Sequence, residues 1–516
     1  MNEKKISIPK EVQNILETIE KKGFEAFIVG GCVRDLLIGR KPHDWDVTTN
    51  AKPEEIKKIF PKSFYENRFF TVTVLTESEE KNLKEIEVTT YRGEGKYSDK
   101  RRPDEVYVAQ TIEADLSRRD FTINAMALGS IKNQESKIKQ EKKHDSSLIL
   151  NSEFLILDPF GGKDDLKKKI ICTVRDSEER FYEDALRMMR AVRLAVELDF
   201  TLSKETERSI KKHAASIKDI SEERVRDELK KIFMSARATR GVQMLEELEL
   251  LQYIIPELRE GIGVGQNLHH YIQGNNSVWK HNLKAFEWAV KKDYPILVKI
   301  AALLHDVGKP RCKQGEGYSS TFYNHDLVGA KIARILLQRL RFSRDEVEKI
   351  TTLIRWHLFK YDPEEGITDS SVRRLIQNVG AENMKDLVLV RICDRMGSGV
   401  PKAVPYRLRH FQYRVEKILR EEEKPTVKML KMNGNDLIKE LKMKPSLKMG
   451  LILNALLEEI IDNPEKNTRE YLLQRASQML SLSDHELKKF AESAKQKVTL
   501  LEEERDLEIK QKHWIK

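Results

Sequence analysis

Two carboxylates two residues apart, Asp44 and Asp46 in HDWDV, follow closely behind a paired glycine, Gly30-Gly31. On an extended segment, side chains two apart point the same way with Cα atoms about 7 Å apart, so both carboxylates can hold one site. Hard divalent cations such as Mg²⁺ take oxygen ligands of this kind and keep room for water and substrate phosphates. Two such ions can activate an attacking hydroxyl and stabilise a departing pyrophosphate. Gly30-Gly31 clears side chains from the path of a triphosphate and frees backbone N–H groups at a helix start, while Arg34, one turn on, adds a cation. Either motif alone has an ordinary reading, as a tight turn or a solvated strand edge. Their order within one strand-turn-helix-strand unit points to nucleotidyl transfer.

The elements that must position these groups are visible as patterns. Apolar Phe24 to Val29 predicts a strand, a helix follows with Arg34 and Asp35, and a second strand is expected to carry Asp44 and Asp46 on either side of Trp45. FTVTVL (Phe70 to Leu75) and EIEVTT (Glu85 to Thr90) alternate as half-buried strands do, with Ile86 and Val88 on one face and Glu85 and Glu87 on the other. Tyr91 to Val106 is rich in glycine and charge and predicts a mobile loop. Arg118-Arg119-Asp120 then enters a predicted helical segment, with Asn124 one turn further. Arginine forks suit phosphate oxygens, and an aspartate can accept from ribose hydroxyls. The polar stretch from Lys132 to Ser147 reads as an exposed insertion, and Asp158-Pro159-Phe160-Gly161-Gly162 as a turn.

From Asp176 the pattern turns helical, and Asp184 and Arg187, three apart, are predicted to project from one helix face. Cytosine and adenine both present an exocyclic amine donor beside a ring-nitrogen acceptor. An Asp acceptor beside an Arg donor pairs with that edge, whereas uracil and guanine offer a ring N–H beside a carbonyl and meet mismatched partners. A surface ion pair is the competing reading. Ser221 predicts the cap of another helix, with Arg224 and Glu228 as a structural pair four apart.

A second constellation begins after the glycine-rich GIGVGQNLHHYIQGNNS. His281, His305-Asp306, His325, His357 and Asp394 are spread over apolar helical patterns. Imidazole and carboxylate ligands suit transition metals such as Mn²⁺, Fe²⁺ or Ni²⁺, although one histidine alone would more often be a core residue. The last segment is helical and rich in Lys and Arg. It has a helix start near Pro445 and a charged helix capped by Ser483 that reads as solvated or self-associating.

A chain of 516 residues has room for three or four domains, and its 34% charged residues beside 40% hydrophobic ones describe a soluble, folded protein. The net charge of +10 favours polyanionic partners. Cys32, Cys172, Cys312 and Cys393 form no C-x-x-C pair, which suggests neither a zinc ribbon nor a disulfide scaffold and fits a reducing compartment. MNEKKISIPK has no apolar signal core and no later run is long enough to span a membrane, so a cytoplasmic protein without membrane partners is expected.

The ordered motifs resemble those of the class II nucleotidyltransferases, the CCA-adding enzymes and bacterial poly(A) polymerases. Gly30-Gly31-x-x-Arg34-Asp35 with Asp44-x-Asp46 looks like motif A, Arg118-Arg119-Asp120 like motif B, Asp158 to Gly162 like motif C, Asp184-x-x-Arg187 like motif D, and Ser221 to Glu228 like motif E. The resemblance implies an α+β protein. A polymerase-beta-like head with a small mixed sheet (1–172) would precede an all-α neck with a base-selecting helix (173–260), an HD-type phosphohydrolase domain (261–400) and a tRNA-binding helical tail (401–516).

It further implies that Glu87 completes the Mg²⁺ site with Asp44 and Asp46, and that Gly30, Gly31 and Arg34 cradle the triphosphate. Arg118, Arg119, Asp120 and Asn124 would bind ribose and phosphates, and Asp184, Arg187 and Arg190 would complete the nucleotide site. In the HD domain, His305 and Asp306 with His281 and Asp394 would form a first metal site, His325 and His357 would support a second, and Lys309 would contact a phosphate. The implied activity is addition of CCA to tRNA 3′ ends from CTP and ATP, with a phosphohydrolase beside it. The loop from Tyr91 to Val106 favours full CCA addition over CC-only addition. Alternatives are A-only addition, a poly(A) polymerase, or a metal-dependent phosphohydrolase with a vestigial head. Three departures from the family pattern stand out: His43, Phe70 where a glycine is frequent, and Ser446-Leu447 in place of a common Gly-Pro.

Overall fold

The protein is described by a computed structural model covering residues 7–66, 70–95, 106–131, 147–149, 154–266, 277–316, 319–362, 367–422 and 427–515. The chain divides into two compact units, Met1–Ile354 and Arg355–Lys516.

Among the described residues, ten strands lie in the first part of the first unit: β1 (Ala26–Val29), β2 (Asp46–Thr49), β3 (Ser63–Glu66), β4 (Thr71–Leu75), β5 (Glu85–Thr90), β6 (Arg92–Glu94), β7 (Val106–Val108), β8 (Ala127–Ser130), β9 (Ser147–Ile149) and β10 (Phe154–Leu157). Eight form one mixed sheet in the order β3-β4-β5-β2-β1-β8-β10-β9, in which β2 and β5 run parallel. All four residues of β1 are buried because the strand is central and covered on both faces, which is why it reads as an unbroken apolar run. Phe27 and Val29 pack with Tyr91, Ile112 and Leu116 in one cluster. Toward the β3 end, β5 buries Ile86 and Val88 and exposes Glu85 and Glu87, as its alternation predicts.

Several expectations need correction. The second strand begins at Asp46, and Asp44 lies in the bend before it. Trp45 is drawn into the core at 4% exposure, and the chain reaches ladder register only at Asp46, opposite Val29. After Arg118-Arg119-Asp120 comes a single 3-10 turn, Thr122–Asn124, and then β8, not a helix. Pairing of β8 to both β1 and β10 overrides the helical pattern of FTINAMAL. In the stretch from Tyr91 to Val106, Arg92–Glu94 pairs with Val106–Val108, while residues 96–105 lie outside the described residues, as do residues 132–146 of the expected insertion. Phe70 has φ +55°, so the position where a glycine is frequent is left-handed here, at a cost of roughly 1–2 kcal/mol for a residue with a Cβ.

The helix Gly162–Lys168 braces the Thr122–Asn124 turn. Asp158 caps it, accepting from Gly162 N and Lys163 N at 2.8 Å each. Thr122 Oγ1 donates to Asp165 at 2.6 Å, and a Cβ on Gly162 would run into the Thr122 carbonyl oxygen.

Among its described residues, the remainder of the first unit is mainly helical, with a short parallel pairing of Ile170–Ile171 with Thr201–Leu202. Its helices include Ser177–Glu183, Leu186–Leu198, Glu222–Met234, Val278–Lys291, Ile296–Leu304 and His325–Arg339. Ser221 stands at the cap position of Glu222–Met234 without a side-chain cap hydrogen bond, contrary to expectation.

The second unit contains the helices Asp369–Val379, Met384–Gly397, Tyr406–Glu422, Gly434–Leu441, Leu447–Asp462, Arg469–Met479 and Asp484–His513. Leu437, Ile452, Leu456, Leu472 and Met479 form a core in its later part. Ser483 caps the last helix in a reciprocal box with Glu486, as its sequence predicts. Among the described residues, no helix is long and apolar enough to cross a membrane.

Because the Gly162 contact is with backbone, Gly162→Ala should destabilise the protein by about 1–3 kcal/mol. A thermal melt of the variant at least as stable as that of the parent protein would disprove the close approach.

Candidate active site and metal centre

A cleft of about 590 Å³ in the first unit is lined by Gly30, Gly31, Asp46, Glu87, Arg118, Arg119, Asp120, Asn124, Asp184, Arg187 and Arg190. Asp46 on β2 is the register partner of Glu87 on β5, so their side chains leave the same face from strands about 4.8 Å apart. Burial pushes the Asp46 carboxyl above the usual carboxylate range, the Arg119 guanidinium opposes that push, and the Asp44 charge adds to it. These acids share one field, and their hard oxygens suit Mg²⁺. Gly30 has φ +84°, and a Cβ there would meet Arg119 Nη1 at 2.8 Å and Asp46 Oδ2 at 3.4 Å, so glycine lets the backbone turn beside the acids. The Cys32 thiol, next along the chain from Gly31, is pushed up to about 12 by burial and by Asp46, and so stays protonated.

Arginines face the acids. Buried Asp115 accepts from Arg118 Nε and Nη2 at 3.1 and 3.0 Å and lies 3.5 Å from Arg119. Asp120 uses both of its oxygens within the protein. Oδ1 accepts from Phe121 N at 2.9 Å and Asn124 Nδ2 at 3.2 Å, and Oδ2 from Arg190 Nε and Nη2 at 2.8 and 2.6 Å. Burial alone would raise the Asp120 carboxyl, but the charge and hydrogen bonds of Arg190, with help from Arg187 and Asn124, together outweigh it and hold the carboxyl well below the usual range. Asp120 therefore anchors Arg190 at the cleft wall. Arg34 likewise turns inward, donating to Asp35 at 2.8 Å and Asn124 at 2.8 Å.

Asp184 and Arg187 are placed differently from one helix face. Asp184 falls in the break between Ser177–Glu183 and Leu186–Leu198 with φ −146° and ψ 103°, and its Oδ1 accepts from Leu186 N at 3.0 Å. Arg187 is on the second helix, and both line the cleft. Arg187 Nη1 donates to Glu183 at 2.5 Å, and Arg224 Nη2 donates to Asp184 Oδ2 at 2.7 Å. The structural pair expected of Arg224 with Glu228 is replaced by other partners, since Glu228 takes Arg193 at 2.7 Å and Lys231 at 3.1 Å. Arg92, Thr48, Thr71 and Thr89 also line the cleft and were not anticipated. Arg92 lies within a stretch read as a loop, and threonines in strands carry no signal until the strands are paired.

Elsewhere in the first unit, His281, His305 and Asp306 converge, with ligand atoms within 4.8 Å of one another. His281 Nε2 lies 2.9 Å from His305 Nε2, and both lie 3.3 Å from Asp306 Oδ2. Ligands held about 2.1 Å from one ion sit about 3.0–3.4 Å apart, so this set fits a metal. His305 Nδ1 faces Ala302 O at 2.8 Å and His325 Nδ1 faces Phe322 O at 2.6 Å. A carbonyl only accepts, so each Nδ1 carries a proton and each Nε2 is the ring nitrogen turned toward Asp306, 3.2 Å away in the case of His325. Lys309, expected at a phosphate, donates to Asp306 at 2.6 Å and to Gln266 at 2.7 Å. A Cβ on Gly308 would strike the backbone of His325 and Gly329, which explains the glycine in HDVGK. His357 and Asp394 belong to the second unit. His357 is buried just beyond the helix Arg344–Trp356, and Asp394 accepts from Arg391 at 2.7 Å.

Residues 26–172, which carry the sheet, match the family described as "Poly A polymerase head domain". Residues 199–262 match the family described as "Probable RNA and SrmB-binding site of polymerase A", and residues 280–397 match the HD domain. A CCA-adding enzyme of Lactobacillus helveticus is 44% identical over 237 residues, 46% of this chain and 53% of the relative. The chain thus spans about half the length of this relative, and of Geobacillus relatives aligned over 54% of theirs. A CCA-adding enzyme of Ligilactobacillus salivarius is 30% identical over 478 residues, covering 92% of this chain and 98% of that one. The crystal structure of the Bacillus stearothermophilus CCA-adding enzyme in complex with CTP matches with a TM-score of 0.51 at 25% identity, over 91% of this chain and 98% of that one. The chain belongs to the CCA-adding enzyme family.

Asp120→Asn should cost about 3 kcal/mol at neutral pH, since it leaves Arg190 beside a neutral amide. A carboxylate whose folded pKa is depressed contributes stability that is full above its unfolded value, about 3.9, and is lost as pH falls through the folded value. Denaturant titrations should show a constant gap between parent and variant from pH 5 to 8 that closes below about pH 4. A gap that widened in acid would contradict the assignment.

Proposed function

We propose that the protein adds C, C and A to the 3′ end of tRNA from CTP and ATP, releasing pyrophosphate. The observation that carries this reading is one cleft holding Asp46, Glu87 and Gly30-Gly31 together with Asp184 and Arg187. Transfer chemistry and a base-reading edge therefore face the same bound nucleotide. Gly30 and Gly31 let the triphosphate approach the backbone, and Arg118 and Arg119, held by Asp115, supply positive charge to its oxygens. Asp184 accepts from the exocyclic amine of cytosine or adenine, and Arg187 donates to the neighbouring ring nitrogen. Asp44, Asp46 and Glu87 would hold Mg²⁺, which when bound activates the attacking 3′-hydroxyl and stabilises the leaving pyrophosphate. The CTP named with the Bacillus stearothermophilus structure supports this substrate class. The basic tail, 401–516, is the proposed tRNA contact.

The test offers tRNAs lacking CCA, CA or only A to the protein with each of the four nucleotides alone. Growth to CCA and arrest after one A is expected, and Asp46→Asn should lower incorporation by at least about 10³-fold. Long ATP-only tails on many RNAs would favour a poly(A) polymerase instead, and GTP or UTP use comparable to CTP and ATP would overturn the template reading.

The convergence of His281, His305 and Asp306 favours a second activity, metal-dependent phosphoester hydrolysis, with Mn²⁺, Fe²⁺ or Ni²⁺ as the metal. Elemental analysis of the purified protein should find such a metal, and Asp306→Ala or His305→Ala should lose it. Retention of the metal by both variants would place it elsewhere.

A further inference from the structure

In the second unit the last helix, Asp484–His513, packs on Tyr406–Glu422 and Leu447–Asp462. Over its later half the inward side is taken: Ile509 is buried, Asp506 accepts from Tyr413 Oη at 2.6 Å, and Lys512 and His513 both reach Glu416 at 2.9 Å. The outward side carries something else. Leu500, Leu507 and Trp514 follow one another at intervals of seven residues, close to two helical turns, and so lie along a single stripe. They are 59%, 57% and 78% exposed, so the described residues leave the stripe open.

Three large apolar groups in a row on a surface helix mark a place where another surface docks. The bordering charges decide which surface fits. Glu503 and Glu504 flank Leu507 on its N-terminal side, one on each border of the stripe, and Lys510 and Gln511 flank it on the C-terminal side. Glutamates so placed repel RNA phosphates and anionic lipid headgroups. A second copy of the same helix fits instead. Laid antiparallel with a two-fold axis at Leu507, each helix sets Leu507 against its own equivalent and Leu500 against the second copy's Trp514. One border then brings Glu503 to the second copy's Lys510, and the other brings Glu504 to Gln511. Lys510 already pairs with Asp506 at 2.8 Å, but an ammonium has three donors and can serve both acids. In a parallel pair Glu503 would face Glu504, so the charges choose the antiparallel arrangement.

We propose that this stripe is the interface of a homodimer, made by two last helices packed antiparallel about a two-fold axis through Leu507. A standard stable interface buries about 1,600 Å² in total, and three apolar side chains per copy supply less. The dimer is therefore reversible, with a Kd on the order of 10 µM.

Sedimentation velocity of the full chain from about 1 to 200 µM should show monomer passing into dimer. Leu507→Glu should raise the Kd by about tenfold or more without lowering the thermal melt, since the side chain is exposed in the monomer. Glu503→Lys should weaken association by setting Lys against Lys, and Glu503→Lys/Lys510→Glu, which reverses both charges, should restore it. The register has its own readout. On mild oxidation Leu507→Cys alone should give a disulfide-linked dimer, whereas Leu500→Cys should do so only when Trp514→Cys is present as well. A parent protein that stays monomeric throughout would overturn the proposal and leave the stripe to a different partner. A dimer indifferent to Leu507→Glu would place the contact elsewhere, and efficient cross-linking of Leu500→Cys by itself would refute the antiparallel register.

Discussion

Asp120 stands at the meeting point of two segments, with one carboxylate oxygen turned to its own strand-entry turn and the other to Arg190. Arg190 lies on the helix that also carries Arg187, so this one ion pair ties the turn after Arg118-Arg119 to that helix. A buried carboxylate is stable only with its charge met, and the fork from Arg190 meets it. Asn124 extends the connection to Arg34, so the helix behind the paired glycine is tied to the same point.

Around this anchor the cleft keeps its charges apart. Asp46 and Glu87 share one face of neighbouring strands, and burial together with the Asp44 charge pushes the Asp46 carboxyl up against the pull of Arg119. Arg118 and Arg119 face them but are held back by Asp115, an acid with no exposure to solvent. The arrangement leaves a space where negative phosphates are attracted from one wall and a cation from the other. Gly30, with its left-handed backbone, is where the chain turns between those walls.

The histidine centre follows a different rule. Its side chains come from a helix, a helix end and a helix start, and backbone carbonyls of Ala302 and Phe322 orient the rings of His305 and His325. Orientation by an outer hydrogen bond is how ligating imidazoles keep their lone pairs aimed at one point. Lys309 lies against Asp306 from the remaining side.

The residue types of the cleft were visible without coordinates because they are local: glycines beside a predicted strand, acids two apart, an Arg-Arg-Asp run, an Asp and an Arg three apart. Periodicity likewise disclosed β5, the helix Leu186–Leu198 and the capped last helix, since each buries one face. What stayed hidden depends on partners distant in the chain. Thr122–Asn124 is a turn before a strand because β1 and β10 claim the following residues. Asp184 sits in a helix break rather than on a helix, with its carboxylate gripped from forty residues away by Arg224. Asp120 became an anchor because Arg190 reaches it across seventy residues. The sequence by itself determined which chemistry the chain can support, through side-chain types at short spacing. Only the tertiary structure decided which of those groups face the cleft and which hold their neighbours, because a buried charge takes whichever partner the packing brings within reach.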